Sequence, residues 1–327
     1  MIVVTGATGL LGSFIVRRLT KENLSVVGIK RKESNVGLLA GMKNISWREA
    51  DITDPVSLSE AFADAKVVIH AAASVSFNPR KADQIFDVNV KGTKNVVDAC
   101  LLNGVEKLVH ISSVAALGRQ KGITLLDENT KWSESPLNTF YAKSKALAEL
   151  EVYRGIEEGL SAAIVNPSFI LAPSDWEKSS SKIFNYVWNE KLFYSNGLVN
   201  YVDVEDVAEM VFQLIDQNFS GERFIASGGS VTYKELFDQI AQRFGKKSPS
   251  IKAHNYFLLL LARLEELRCY FRGQEPLISR ESIKTAGQDF TYSNKKGIDL
   301  LKMRFKPLSE TLDTCCEHYL RTYSTKK

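Results

Sequence analysis

A glycine-punctuated junction at the start of the chain restricts the fold more than any other feature. The run Thr5-Gly6-Ala7-Thr8-Gly9-Leu10-Leu11-Gly12 follows a short β-branched stretch at 2–5 and leads into an amphipathic stretch over 10–22. Glycines three residues apart between a strand and a helix each have a separate use. Gly6 permits the tight turn, Gly9 lets backbone N–H groups approach a ligand, and Gly12 lets the helix pack closely on the strand. The helix N-terminus adds partial positive charge, so the loop, with Thr8, Leu10 and Leu11 on it, suits a pyrophosphate.

The alternation that begins there continues. Strands are predicted at 2–5, 25–29, 45–48, 66–71, 107–112 and 162–166, and helices over 10–22, 57–63, 82–102 and 139–157. The strands are apolar nearly throughout, as expected where both faces of a parallel sheet are covered, and right-handed crossovers place helices on each side. The expected fold is α/β, a doubly wound parallel sheet with a smaller, mostly helical lobe. The rhythm breaks after Pro167. The stretch 173–200 is rich in Ser, Asn and aromatic residues, 201–217 reads as an acid-capped helix, 223–226 as one more sheet strand, and 233–244 as an amphipathic helix. Residues 1–166, completed by 201–227, therefore form the dinucleotide-binding domain, and 167–200 with 228–327 form the substrate lobe.

Composition narrows the function. The 42 basic and 38 acidic residues nearly balance, so no nucleic-acid footprint is expected, and Lys326 and Lys327 read as a solvated tail. The glycine loop lies too close to Met1 for a cleavable leader, and the longest apolar run, 256–262, is far shorter than the ~20 residues of a membrane span and reads as a buried helix. Cys100, Cys269, Cys315 and Cys316 show no CxxC spacing. That argues against a disulfide framework or a metal site and for a reducing, cytoplasmic setting, with Cys100 as core filler.

Two further patterns carry chemistry. An NAD-preferring site ends its second strand with an acid that holds the ribose 2′-hydroxyl. Here the chain reads Gly28-Ile29-Lys30-Arg31-Lys32. The bases suit a 2′-phosphate, Arg31 best of the three, so NADP(H) is expected over NAD. Tyr141 and Lys145 lie four apart on a predicted helix and share one face. A phenol ionises near pH ~10, and a neighbouring ammonium together with a positively charged nicotinamide ring is expected to lower that value and fit Tyr141 for proton exchange with a carbonyl or alcohol. Ser112 and Ser113 fall at the carboxyl end of a predicted strand, where ligands of open α/β sheets bind.

Together these segments resemble the extended short-chain dehydrogenase/reductase superfamily, also called the NAD-dependent epimerase/dehydratase family, with its Rossmann fold. The matching segments are TGATGLLG at 5–12, Asp51-Ile52-Thr53-Asp54, His70-Ala71-Ala72-Ala73, Asp87 to Thr93, the serine pair, the Tyr/Lys pair, and Tyr201 to Asp206. The resemblance implies that Asp51 contacts the adenine with Ile52 beside it, that Ala71 and Ala72 line the cofactor path, and that Asn89 braces the sheet. It also implies that Ser113, rather than Ser112, is catalytic, that Lys145 also holds the nicotinamide ribose, and that Pro167 and Ser168 flank the nicotinamide. A homodimer through the helices near 82–102 and 139–157 is implied by the resemblance alone. The residues also allow plainer roles: Asp51 as cap of the next helix, Asn89 as a buried polar group, His70 as structural, and Asp203 and Asp206 as acids at a helix start.

Val75-Ser76-Phe77 and Pro167-Ser168-Phe169-Ile170 resemble the dihydroflavonol-reductase and 3β-hydroxysteroid-dehydrogenase-like branch. The substrate is then expected to meet Ser74, Phe77, Ser113 and Phe169. Trp176, Phe184, Tyr186, Trp188, Phe193 and Tyr194, without an arginine among them, suit a small apolar or aromatic carbonyl compound. Lys178, Lys182 and Lys191 keep a nucleotide-sugar epimerase or dehydratase with tightly bound NAD as the alternative, because a diphosphate needs cations. A non-catalytic dinucleotide sensor is a third reading, against which the Tyr/Lys pair argues.

Overall fold

The computed structural model describes residues 1–176, 179–254, 263 and 289–323. Lys178, the run 256–262, Cys269 and the tail lysines lie outside them. In chain order the strands are β1 (Ile2–Thr5), β2 (Val26–Lys30), β3 (Ile45–Glu49), β4 (Val67–His70), β5 (Lys107–Ile111), β6 (Leu125–Leu126), β7 (Ala162–Pro167), β8 (Phe169–Leu171), β9 (Phe193–Tyr194), β10 (Leu198–Asp203), β11 (Glu222–Ala226), β12 (Gly229–Thr232), β13 (Ile251–Lys252) and β14 (Thr291–Tyr292). The described α-helices are α1 (Leu10–Lys21), α2 (Pro55–Ala61), α3 (Ala82–Phe86), α4 (Gly92–Leu102), α5 (Phe140–Glu157), α6 (Lys182–Trp188), α7 (Val204–Asp216), α8 (Tyr233–Phe244), α9 (Lys295–Leu301) and α10 (Leu308–Tyr323).

Seven strands form one sheet in the order β11-β7-β5-β4-β1-β2-β3, and every neighbouring pair is parallel. The expected doubly wound Rossmann architecture is therefore present. Alternate residues of each strand serve opposite cores. Val4, Ile69, Val109 and Val165 pack beneath α1 and α7, whereas Val3, Val68, Leu108 and Ile164 pack beneath α2, α4 and α5. A third core joins α6, α8 and α10 around Phe184, Phe237, Leu312 and Tyr319.

Two predicted helices are drawn differently in the structure. The stretch 82–102 is divided: α3 and α4 are separated by a π-helical turn at Asp87–Lys91 that carries Asn89. The stretch 201–217 begins as strand β10, and α7 starts only at Val204, where the Asp203 side chain accepts the Glu205 N–H at 2.8 Å. Helical spacing of apolar residues does not register an inserted residue, and the expected acid cap is Asp203, which also ends β10.

Among the described residues no helix is long and apolar enough to cross a membrane, and no group of three or more His, Cys, Asp or Glu residues is placed to hold a metal. Cys100, Cys315 and Cys316 are free and buried.

Candidate active site

Parallel strands bring their carboxyl ends to one edge of the sheet, and the predicted site residues gather there. At Gly6 (φ 69°) a Cβ would stand 2.6 Å from the Ala72 backbone nitrogen, and at Gly12 it would stand 2.1 Å from the Gly6 carbonyl oxygen. The loop, α1 and the Ala71–Ala72 segment after β4 therefore meet backbone to backbone, which side chains would prevent. α1 opens at Gly9 without a side-chain cap, so the first-turn amides of Leu10, Leu11 and Gly12 have no side-chain acceptor of their own. Gly9 is exposed, and Thr8, Leu10 and Leu11 are half-buried around it.

Lys30 ends β2 half-buried, and Arg31 and Lys32 beyond it are exposed on a turn closed by the Ser34 N–H to the Arg31 carbonyl. Asp51 follows β3; its Oδ1 accepts the Thr53 N–H at 2.9 Å and the Thr53 hydroxyl at 2.7 Å. The plainer reading of Asp51 as a helix cap is corrected, because Asp54 caps α2 by accepting the Val56 N–H at 3.1 Å. The Ile52 carbonyl accepts Asn95 Nδ2 at 2.9 Å, which ties this segment to α4.

Beneath the loop runs a chain of buried polar groups. His70 Nδ1 lies 2.8 Å from Thr5 Oγ1 and His70 Nε2 lies 3.1 Å from Thr93 Oγ1. The Thr93 hydroxyl already donates to the Asn89 carbonyl at 2.6 Å, so it accepts from the ring. Burial, helped by the nearby Lys145 charge, holds the His70 pKa down to about 3, so the ring is neutral and its one proton sits on Nε2. Nδ1 then accepts from Thr5, whose oxygen accepts the Ala72 N–H at 3.3 Å. Asn89 continues the chain: its Oδ1 accepts the Ser74 N–H at 2.8 Å, and its Nδ2 donates to the Ser74 carbonyl and to Ser144 Oγ, both at 3.0 Å. Ser144 donates to the Tyr141 carbonyl at 2.8 Å. Asn89 thus braces the Ser74 segment against α5, the helix that carries Tyr141 and Lys145. His110, in register with His70 on β5, has its ring 5.2 Å away and no hydrogen-bond partner at either nitrogen.

Thr139 caps α5, accepting the Ala142 N–H at 3.0 Å, and this fixes the start of the helix that presents Tyr141. The Ser113 hydroxyl lies near enough to the Tyr141 phenol to act on its ionisation, whereas Ser112 Oγ is buried without a partner. Ser113 is therefore the serine of the pair that meets the tyrosine. Lys145, one turn along α5, is buried and donates from Nζ to the Ile111 carbonyl at 2.8 Å. The expected lowering of the tyrosine pKa is corrected. Burial raises it, and the Ser113 hydroxyl opposes that only in part, because desolvation of a phenolate outweighs one neutral donor. Burial also brings Lys145 down to about 8, against the attraction of Glu149.

Phe77 stands edge-on to Tyr141 at 5.9 Å between ring centroids, and Ser74 is fixed through its backbone to Asn89. β7 ends at Pro167. The Ser168 N–H donates to the Ala226 carbonyl at 2.9 Å, the Ser168 hydroxyl is buried without a partner, and Phe169 opens β8 opposite Tyr201. The other aromatics have a different role from the one expected. Trp176 and Phe184 are buried, and Trp176 stacks 3.9 Å from Tyr323 and 5.5 Å from Tyr319. Tyr186 donates to the Phe193 carbonyl at 2.7 Å, and Tyr186, Trp188 and Tyr194 pack against the same core. These rings build the lobe, since large apolar surfaces are more stable against each other than against water.

The sequence reading overlooked Glu149. It is buried on α5, its Oε1 accepts Asn166 Nδ2 at 2.6 Å, and its Oε2 pairs with Arg223 Nη1 at 3.2 Å. The spacing 141, 145, 149, one helical turn at each step, is the signal that marks it.

With this geometry in place, the relatives are informative. The chain is 28% identical over 289 residues to a sterol demethylase protein B of Methylococcus capsulatus, covering 86% of this chain and 87% of that one. It is 25% identical over 315 residues to a putative dihydroflavonol 4-reductase of Synechocystis, covering 94% and 91%. The crystal structure of gox2253 superposes with a TM-score of 0.84 at 31% identity, covering 99% of this chain and 98% of the other. The model of the NAD-dependent epimerase/dehydratase family matches residues 2–226, and the chain belongs to that family.

Proposed function

We propose that the protein is an NADP-dependent reductase or dehydrogenase acting on the carbonyl or alcohol of a small apolar or aromatic substrate, with Tyr141 as its acid/base. The observation that carries this reading is the Ser113 hydroxyl beside the Tyr141 phenol, with Lys145 buried one turn away and held to the Ile111 carbonyl. That set stands at the carboxyl end of the sheet, the edge that also holds the glycine loop. The residues present fit a dinucleotide. Gly6 and Gly12 bring the loop backbone into direct contact with its neighbours, the first turn of α1 is uncapped, and the buried hydroxyls of Ser112 and Ser168 have no partner in the protein.

The diphosphate would be held by the amides of Gly9 to Gly12, with Thr8 beside them, and the adenine by Asp51 and Ile52. Ala71 and Ala72 would line the path between, and the 2′-phosphate would meet Lys30, Arg31 and Lys32. Pro167 and Ser168 would flank the nicotinamide. When bound, the reduced nicotinamide supplies the hydride. Ser113 would hydrogen-bond the substrate oxygen, where negative charge develops, and Tyr141 would give its phenolic proton to that oxygen. Lys145 would favour the resulting phenolate by its charge and hold the ribose. A tyrosine pKa raised by burial suits the direction in which the phenol begins as an acid.

The aromatic edge of Phe77 beside Tyr141 supports an apolar substrate, and the name of the dihydroflavonol 4-reductase relative supports reduction over epimerisation. Tyr141→Phe should lower kcat by about a hundredfold or more while leaving NADPH affinity nearly intact. Stopped assays with a ketone and aldehyde panel, and NADPH fluorescence titration, test this. Unchanged kcat in that variant would refute the assignment.

A further inference from the structure

Glu149 is 3% exposed, an unusual place for a carboxylate. Replacing a buried ion pair by apolar residues is often neutral for stability, and Arg223 already donates to the Glu128 and Thr130 carbonyls at 2.8 and 2.9 Å. What the carboxylate does reach is the Ser113–Tyr141–Lys145 set. Asn166 Nδ2, held by Glu149 at 2.6 Å, also donates to the Ser113 carbonyl at 2.9 Å. Along α5, Glu149 is the next residue on the face that carries Tyr141 and Lys145.

We propose that Glu149 is a positioning residue, fixing the Ser113 backbone through Asn166 and supplying the counter-charge for the Lys145 ammonium. The proposal rests on the reading that Ser113, Tyr141 and Lys145 form the catalytic set. The groups facing Lys145 are His70 from β4, His110 and the Ile111 carbonyl from β5, and Glu149 from its own helix. Burial keeps both imidazoles neutral, and the Tyr141 phenol is neutral as well, so Glu149 is the one negative charge acting on Lys145 among the described residues. Glu149 itself faces Lys145 and Tyr153 on α5, Asn166 on β7 and Arg223 on β11. Without the carboxylate, burial alone would act on the amine, and less of it would be protonated at neutral pH.

The test is a pH titration of protein labelled with [ε-13C]lysine, in which the Lys145 signal is the one missing from Lys145→Met. Wild type should titrate near pH 8. Glu149→Gln keeps an acceptor for Asn166 but removes the charge, and should lower that midpoint by about one pH unit or more. Arg223→Met leaves the carboxylate to Lys145 alone and should raise it, and this variant decides the matter if Glu149→Gln fails to fold. The alkaline loss of NADPH affinity should move with the lysine signal. An unmoved midpoint in either folded variant overturns the proposal, and so does a wild-type midpoint at the ordinary 10.5. Because the titration needs no substrate, its failure is distinct from failure of the catalytic reading, which would appear as full turnover in Tyr141→Phe.

Discussion

Replacing Lys145 by Met should make the protein more stable and less able to bind its cofactor. Lys145 is 2% exposed, and its pKa falls from 10.5 to about 8 on burial. That fall corresponds to ~3 kcal/mol lost by holding the charged form inside the folded chain at neutral pH. Met has similar length and no charge to desolvate. The substitution removes the 2.8 Å hydrogen bond from the charged Nζ to the Ile111 carbonyl, worth about 2 kcal/mol. Glu149 keeps Arg223 as its partner, so no carboxylate is stranded. The net gain is ~1 kcal/mol, about 1–2 °C in Tm for a chain of this length. The pH dependence has a definite sign. A base whose folded pKa lies below its unfolded value carries its full penalty below the folded pKa, and sheds it as pH rises toward the unfolded one. The advantage of Lys145→Met should therefore be complete below pH 8 and fade as pH approaches 10.5. Calorimetric Tm values for both proteins at pH 7 and pH 10, beside NADPH titration, measure it. A Tm below wild type at pH 7, or a gain equal at both pH values, would refute the reasoning.

Three further outcomes follow from separate parts of the structure. If Arg31 helps to hold the 2′-phosphate, Arg31→Ala should weaken NADPH binding about tenfold or more and leave NADH, which lacks that phosphate, unchanged; equal losses for both would remove the basis for NADP preference. Thr139→Ala removes the cap of α5 and should cost about 1–2 kcal/mol, read as a lower urea midpoint at constant slope. Cys100, Cys315 and Cys316 are buried with thiol pKa values pushed up by desolvation, so a Cys269→Ser variant should give no reaction with Ellman's reagent until it is unfolded; rapid labelling of the native protein would contradict their burial.

The parts of this molecule legible in the sequence are those fixed by local rules. Apolar runs and glycine spacing identified the sheet, the loop at Gly6–Gly12 and the family, and four-residue spacing placed Lys145 with Tyr141 on one helix. What escaped depends on contacts between distant segments. The aromatic run from Trp176 to Tyr194 looked like a pocket wall, yet Trp176 is committed to Tyr319 and Tyr323, far along the chain. The tyrosine pKa moved opposite to expectation because its sign depends on burial, which one helix does not reveal. Glu149 was passed over because its partners, Asn166 and Arg223, come from two later strands.

The buried polar chain explains why the two halves of the site need not be held by loops alone. It starts at the Ala72 amide, passes through Thr5, His70 and Thr93 to Asn89, and reaches the Tyr141 backbone by way of Ser144. An apolar filling would suit a sheet face just as well for burial, but apolar contacts tolerate sliding and hydrogen bonds at 2.6–3.3 Å do not. Each donor in the series has one acceptor, with the imidazole proton on Nε2, so moving any member leaves a buried group unsatisfied at about 1–3 kcal/mol. The strand that launches the glycine loop and the helix that presents the tyrosine are therefore set in one register relative to each other. Hydride transfer between separately bound groups requires that register.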